Sequence, residues 1–198
     1  LVDGDFIDLE WTARHDGPIV LVLHGLEGHT RSGYAAGILR QIHQRGWRGV
    51  FMYQRSCSGT PNRLHRRYHA GKTSDLQTII ELLTQREPHT PIAVVGYSLG
   101  GNMLLKWLGE LEHTPPALAA AVAVSVPFDL HIVTERLNQG ISRIYQYAML
   151  NRMQRSVKSK PGYHNSFDNL GEILCLKTLR EFDDAFTAPV HGFRDVHH

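Results

Sequence analysis

Hydrophobic and polar positions follow two rhythms along this chain, and the switches between them delimit its elements. Ile7, Leu9 and Trp11 alternate with Asp8 and Glu10, the period of a half-buried strand, behind a turn signal at Asp3-Gly4-Asp5 with Leu1-Val2 as the stump of a hairpin partner. Pro18 to Leu23 is continuously apolar up to His24-Gly25, as a central strand covered on both faces requires. Tyr34, Ile38 and Ile42 then fall at helical spacing, with Gly46 as the stop. The alternation repeats: a strand at Gly49 to Tyr53, then a helix opened by a capping box Ser74-x-x-Gln77 and running through Leu82-Leu83. A strand at Pro91 to Val95 enters Gly96-Tyr-Ser-Leu-Gly-Gly101 and a helix marked by Met103, Trp107, Leu108 and Leu111. Ala119 to Val126 is one more strand, stopped by Pro127. Strands separated by helices predict an α/β fold: a mostly parallel sheet with helices on both faces. From Asp129 to Pro189 the rhythm changes to helices and loops, with Ile141, Ile144, Tyr145 and Ala148 on one helical face.

Composition narrows the function classes. A chain of 198 residues with 42% hydrophobic and 20% charged residues is that of a globular protein with one sizeable core. Lysine plus arginine exceeds aspartate plus glutamate by 21 − 19 = +2, too little to make the whole molecule a polyanion binder. No recognised nucleic-acid motif is present, so no nucleic-acid partner is expected. Cys57 and Cys175 alone build no disulfide framework, and the apolar runs are strand-sized, so the expected location is cytoplasmic. His65-x-x-x-His69 has zinc-compatible spacing without a zincin glutamate, and neither a dinucleotide fingerprint nor a Walker loop occurs, so no metal or cofactor is expected.

The candidate chemistry lies at Gly96-x-Ser98-x-Gly100. Three fixed residues are a weak signal alone, but here they join an apolar strand to an amphipathic helix. A serine on a sharp strand-to-helix turn needs neighbours without bulky side chains, and its hydroxyl then projects at the carboxyl end of a central strand. The competing reading is a glycine-rich loop whose serine only caps the helix. The Leu99 amide, at a helix N-terminus, is a candidate oxyanion donor. The loop His24-Gly-Leu-Glu-Gly28 offers the Leu26 amide as the second, with His24 propping that loop rather than acting as a base.

Five blocks in order resemble the YheT-like carboxylesterases of the α/β-hydrolase superfamily. They are Val22-Leu-His-Gly-Leu-Glu-Gly28, Gln54-Arg-Ser-Cys-Ser-Gly59, Tyr68-His-Ala-Gly-Lys-Thr-Ser-Asp75, Val95-Gly-Tyr-Ser-Leu-Gly-Gly-Asn102 and Phe182-Asp-Asp-Ala-Phe-Thr-Ala-Pro189. The resemblance implies a serine hydrolase with Ser98 as nucleophile and the Leu26 and Leu99 amides as oxyanion hole. Its substrate would be an acyl ester, of a small molecule or a lipid. The family's sheet continues past a helical insertion with strands carrying an aspartate and a histidine, so the chain is expected to be truncated at both ends, with neither partner carried onto a residue here. Asp129, His191 and His197 are imaginable stand-ins that nothing fixes in reach of Ser98. The expected division is a core at 1–128, a helical lid insertion at 129–190, and at 191–198 the start of further core or a tag remnant. Ala119 to Val126 would then be an exposed apolar edge.

The second functional reading is a catalytically silent hydrolase-fold binding or scaffold protein. Basic segments at Arg55 to Lys72 and Arg136 to Lys160, the latter with six basic residues and no acidic one, allow weak contact with an anionic membrane surface.

Overall fold

The computed structural model describes residues 1–12, 16–160, 162–163, 167 and 169–197. The chain divides into two compact units: Leu1–Gln54 with Tyr68–Val126, and Arg55–Arg67 with Pro127–His198.

The first unit is built on a five-stranded sheet of order β1-β3-β2-β4-β5. Its strands are β1 (Leu9–Trp11), β2 (Ile19–Leu23), β3 (Arg48–Met52), β4 (Ile92–Tyr97) and β5 (Leu118–Val124). β1 runs antiparallel to β3; β2, β3, β4 and β5 are mutually parallel. The continuously apolar Ile-Val-Leu-Val-Leu run of β2 is buried at every position. Its alternate side chains enter different cores. Ile19, Leu21 and Leu23 pack with Leu76, Ile79, Ile80 and Leu83 of α2 (Ser74–Arg86) and with Leu104 and Trp107 of α3 (Leu99–Glu110). Val20 and Val22 pack with Ala35 and Ile42 of α1 (Gly33–Gln44) and with Phe51. Each such aliphatic burial stabilises the unit by roughly 1.5–3 kcal/mol, which explains why the strand tolerates no polar position.

Three local expectations need correction. Leu1-Val2 forms no strand; the Gly4 N–H instead closes a turn on the Leu1 carbonyl. Ser74 and Gln77 form no capping box, because the N-cap is Thr73 and no side chain caps it. Gln77 is used elsewhere, accepting the Trp107 indole N–H at 2.5 Å. β5 ends at Val124 rather than Val126, since Ser125 turns to φ 52. β5 is an edge of the sheet, and Val122 on it is 51% exposed.

The second unit is helical: α4 (Leu130–Leu137), α5 (Ser142–Ser159), α6 (Leu170–Ile173), α7 (Leu179–Phe182) and α8 (Ala188–His191), with a π-helical turn at Asp183–Thr187 joining the last two. Asp129 caps α4 by accepting the Ile132 N–H, and Thr178 with Glu181 caps α7 reciprocally. Tyr163, Phe167, Phe182 and Phe186 form an aromatic core with ring centroids 5.2–5.4 Å apart. The Tyr163 hydroxyl donates to the His65 carbonyl at 2.7 Å, and burial pushes its pKa up to about 12. The Lys160 ammonium donates to the Leu64 carbonyl and lies 5.0 Å from the Tyr163 ring centre. These contacts explain why residues 55–67 belong to this unit.

α5 reverses the face its apolar stripe suggests. Ile141, Ile144 and Tyr145 are 80%, 70% and 62% exposed, and Ala148 is exposed with them. The buried face is Gln146, Leu150, Met153 and Val157. Gln146 earns that position with its amide, which donates to Asn138 at 2.8 Å and accepts the Leu179 N–H at 3.2 Å. Residues 191–197 continue the unit, with the Val196 N–H on the Asp184 carboxylate; His198 lies outside the described residues.

Candidate active site

The centre of the α/β unit is the turn from β4 into α3. Ser98 has φ 51 and ψ −118, a conformation costing about 1–3 kcal/mol for a residue with a Cβ. Its N–H donates to the Val124 carbonyl at 2.8 Å, and its carbonyl accepts from Gly101 and Asn102. The flanking glycines are steric necessities. A Cβ on Gly96 would lie 2.5 Å from the Gly100 carbonyl oxygen, and one on Gly100 would lie 2.6 Å and 2.7 Å from the carbonyl oxygens of His24 and Leu23. The lack of side chains at these two glycines is what lets strand, helix and the end of β2 approach so closely beside Ser98.

The loop after β2 comes to the same place. A Cβ on Gly25 would stand 3.2 Å from the Ser98 Cβ and 3.8 Å from its Oγ. Its successive amides are almost all committed. Gly25 N–H donates to the Tyr34 hydroxyl at 3.2 Å, Glu27 N–H to the Tyr68 hydroxyl at 2.7 Å, and Gly28 N–H to the Gly25 carbonyl at 3.1 Å. The Leu26 N–H has no hydrogen-bond partner among the described residues, and neither has the Leu99 N–H in the first turn of α3.

His24 sits wholly buried beneath this loop. Its Nε2 accepts the Gln54 N–H at 2.9 Å, which leaves Nδ1 to carry the proton and donate to the Gly25 carbonyl at 2.5 Å. Desolvation by burial lowers its pKa to about 4 against the bond to Gly25, so the ring is neutral. With both nitrogens taken by backbone, this ring is a prop and no proton acceptor. It also stacks on Phe51, ring centres 5.5 Å apart, and meets Tyr68 edge-on at 6.0 Å.

Four non-glycine residues among those described adopt left-handed φ: Glu27, Ser56, Ser98 and Ser125. Each follows the carboxyl end of one of the four parallel strands, β2 to β5, by at most four residues. Strain of this kind collects where open α/β sheets place their ligands.

Asp129 and the histidines considered as stand-ins have local roles in the helical unit. The Asp129 carboxylate accepts the Ile132 N–H at 3.0 Å, His197 Nε2 accepts from Arg180 at 3.0 Å, and His191 closes α8. Tyr34 and Tyr68 were not foreseen as parts of the site. Neither sits in a periodic pattern that advertises a hydroxyl aimed at a backbone amide; the sole sequence signal is the glycine-rich loop those hydroxyls hold.

The family described as serine aminopeptidase S33, Hydrolase_4, matches residues 15–166. The chain belongs to the Hydrolase_4 family. Among curated proteins this Hydrolase_4 chain is 43% identical to the YheT protein of Escherichia coli K12 over 99% of its length and 59% of that protein. It is 27% identical to phospholipase ABHD3 of Mus musculus over 98% of its length and 49% of the relative. The chain thus spans about half to three fifths of the length of these relatives. Among solved structures, the Pyrococcus furiosus esterase Pf2001 superposes with TM-score 0.58 at 19% identity, covering 80% of this chain and 65% of that one. The ferulic acid complex of Est1E from Butyrivibrio proteoclasticus gives TM-score 0.52 at 14% identity, covering 93% and 73%. The fold is that of an α/β-hydrolase, a mostly parallel sheet with flanking helices.

Proposed function

We propose that this protein hydrolyses carboxylic acyl esters through an acyl-enzyme on Ser98. The observation that carries the reading is the pairing of a strained Ser98 with an uncommitted Leu26 amide in the loop that Gly25 brings against it. In the reaction, Ser98 Oγ attacks the ester carbonyl and its proton passes to a base. The carbonyl oxygen takes up negative charge opposite the Leu26 and Leu99 amides; removing one such donor typically costs about 10²–10³ in rate. The C–O bond to the alcohol then breaks, the alcohol leaves with a proton, and water cleaves the acyl-serine to release the acid and restore the hydroxyl. The base and the carboxylate that orients it are not assigned to residues of this chain, since His24 is locked as a neutral prop.

The names of the relatives support the ester class. Besides YheT and the phospholipase, they include proteins of Saccharomyces cerevisiae named monoacylglycerol lipase and medium-chain fatty acid ethyl ester synthase/esterase. Fatty acyl esters are accordingly the proposed substrates, and the helical segment 129–190 the proposed lid, on chain order alone. Contact with an anionic lipid surface belongs to the same proposal. Along α5 the exposed Ile141, Ile144, Tyr145 and Ala148 continue at helical spacing into exposed Arg152 and Arg155, opposite the buried Leu150, Met153 and Val157. No helix among the described residues is long and apolar enough to cross a membrane.

The decisive experiment is labelling of the full-length protein with a fluorophosphonate probe. The reading requires a label that Ser98→Ala abolishes, together with turnover of p-nitrophenyl acyl esters in preference to aminoacyl p-nitroanilides. A wild-type protein that never labels would make it a silent scaffold. Binding to vesicles containing phosphatidylserine should weaken with salt and with Arg152 and Arg155 replaced by glutamine.

A further inference from the structure

One residue beyond the unbonded Leu26 amide the loop is clamped. Glu27 is a non-glycine residue at φ 50, a conformation that a side chain resists and that must be held from outside. A phenol holds it. The Tyr68 hydroxyl accepts the Glu27 N–H at 2.7 Å and donates its own proton to the Glu27 carboxylate at 3.1 Å, so one oxygen grips both the backbone and the side chain of the same residue. Tyr68 is itself only 6% exposed, with its ring against the buried His24. It begins 41 residues beyond the loop it holds, so this is a tertiary restraint and no local turn.

The peptide plane between Leu26 and Glu27 carries the Glu27 N–H and the Leu26 carbonyl. Pinning that plane at one end, with the Gly25 carbonyl, which shares a peptide plane with the Leu26 N–H, held by His24 Nδ1 and the Gly28 N–H at the other, leaves the intervening Leu26 N–H little freedom to rotate. We infer that Tyr68, through its two-sided hold on Glu27, is the positioning residue that aims the Leu26 amide at the oxyanion. The inference rests on the Ser98 reading above. It adds a requirement which that reading lacks: the donor works only while its neighbour stays left-handed. Without the phenol oxygen, Glu27 can relax toward the ordinary φ range, turning the adjoining peptide and carrying the Leu26 N–H off line. A displacement near 1 Å at such a donor is enough to cost about 10²-fold.

The test is Tyr68→Phe in the full-length protein, read as a kcat-against-KM split on a p-nitrophenyl ester and as affinity for a boronic acid that mimics the tetrahedral intermediate. The expected result is a fall of about 10–100-fold in kcat, a parallel fall in boronate affinity and an unchanged KM, because an oxyanion donor acts on the developing charge and not on the bound ester. Glu27→Gly in the Tyr68→Phe background provides the second variant: glycine removes the penalty for left-handed φ that the phenol otherwise offsets, and should recover most of the lost kcat and boronate affinity. Wild-type kcat and boronate affinity in folded Tyr68→Phe, a loss confined to KM, or no recovery in the double variant overturns the inference while leaving Ser98 as nucleophile. A wild-type protein without activity or label defeats the underlying reading instead, so the two failures are distinguishable.

Discussion

The two units of the molecule are held together by different means, and the difference decides how each responds to change. The α/β unit depends on close backbone approach: a central strand, β2, buried at every position, and a site where β2, β4 and α3 meet through glycines with no room for a single added carbon. The helical unit depends on side chains, with an aromatic cluster, lysine and tyrosine contacts to the 55–67 segment, and a buried glutamine bridging α4 and α7. Backbone contacts fail abruptly when crowded; side-chain contacts yield by degrees.

The sharpest way to break that comparison is a pair of glycine substitutions. Gly100→Ala puts a carbon against two backbone carbonyl oxygens, which cannot move aside, and should destabilise the α/β unit by about 3 kcal/mol or more in a urea titration. A midpoint unchanged from wild type would show that β2 and α3 are less tightly joined than described.

Proton titration separates the units next. His24 is lowered to about 4 by burial, so between pH 6.5 and 4 the unfolded chain takes up a proton that the folded one refuses, and the α/β unit loses stability as pH falls. Asp183, at the start of the π-helical turn, is raised to about 6 by burial against its bond from Thr187. Between pH 3.8 and 6 the folded chain therefore keeps a proton that the unfolded one has released, and the helical unit loses stability as pH rises. Each window amounts to about 3 kcal/mol at roughly 1.4 kcal/mol per pH unit. Hydrogen exchange, corrected for intrinsic rates, should show protection at 19–23 falling and at 179–191 rising when pH drops from 6.5 to 4.5. Parallel changes in both would refute the contrast.

A smaller effect sharpens it. Asp183→Asn keeps an acceptor for the Thr187 hydroxyl and removes the buried charge, so at pH 7 it should raise the stability of the helical unit by about 1–2 kcal/mol and abolish its pH response. The smallest is the counterpart of the first: Gly171→Ala, in α6, meets nothing within 4 Å and should be neutral or stabilise by up to about 1 kcal/mol. Destabilisation by Gly171→Ala would place backbone crowding in the helical unit as well.

Legibility follows the same division. The strands of the α/β unit were readable because a continuously apolar run of five or six residues has few ways to be buried, and because Gly-x-Ser-x-Gly joined such a run to a helix. Their ends were less so: Ser125 stops β5 early because the chain turns there beside the elbow, a fact no local pattern encodes. In the helical unit the Ile141, Ile144, Tyr145, Ala148 stripe is a regular apolar face, yet the core was built on Leu150, Met153 and Val157 one third of a turn or more away. Periodicity identifies a face; it does not say which of two faces finds a partner.

What the amino-acid order determined alone was the alternation of strand and helix, the parallel sheet, and the position of one serine on a glycine-flanked bend, because these depend on residue size and spacing within a few neighbours. Which amide beside that serine stays unbonded was decided only in three dimensions. Tyr34 and Tyr68 reach the loop from 9 and 41 residues away, and the freedom of the Leu26 N–H is what remains after distant hydroxyls have taken the amides on either side.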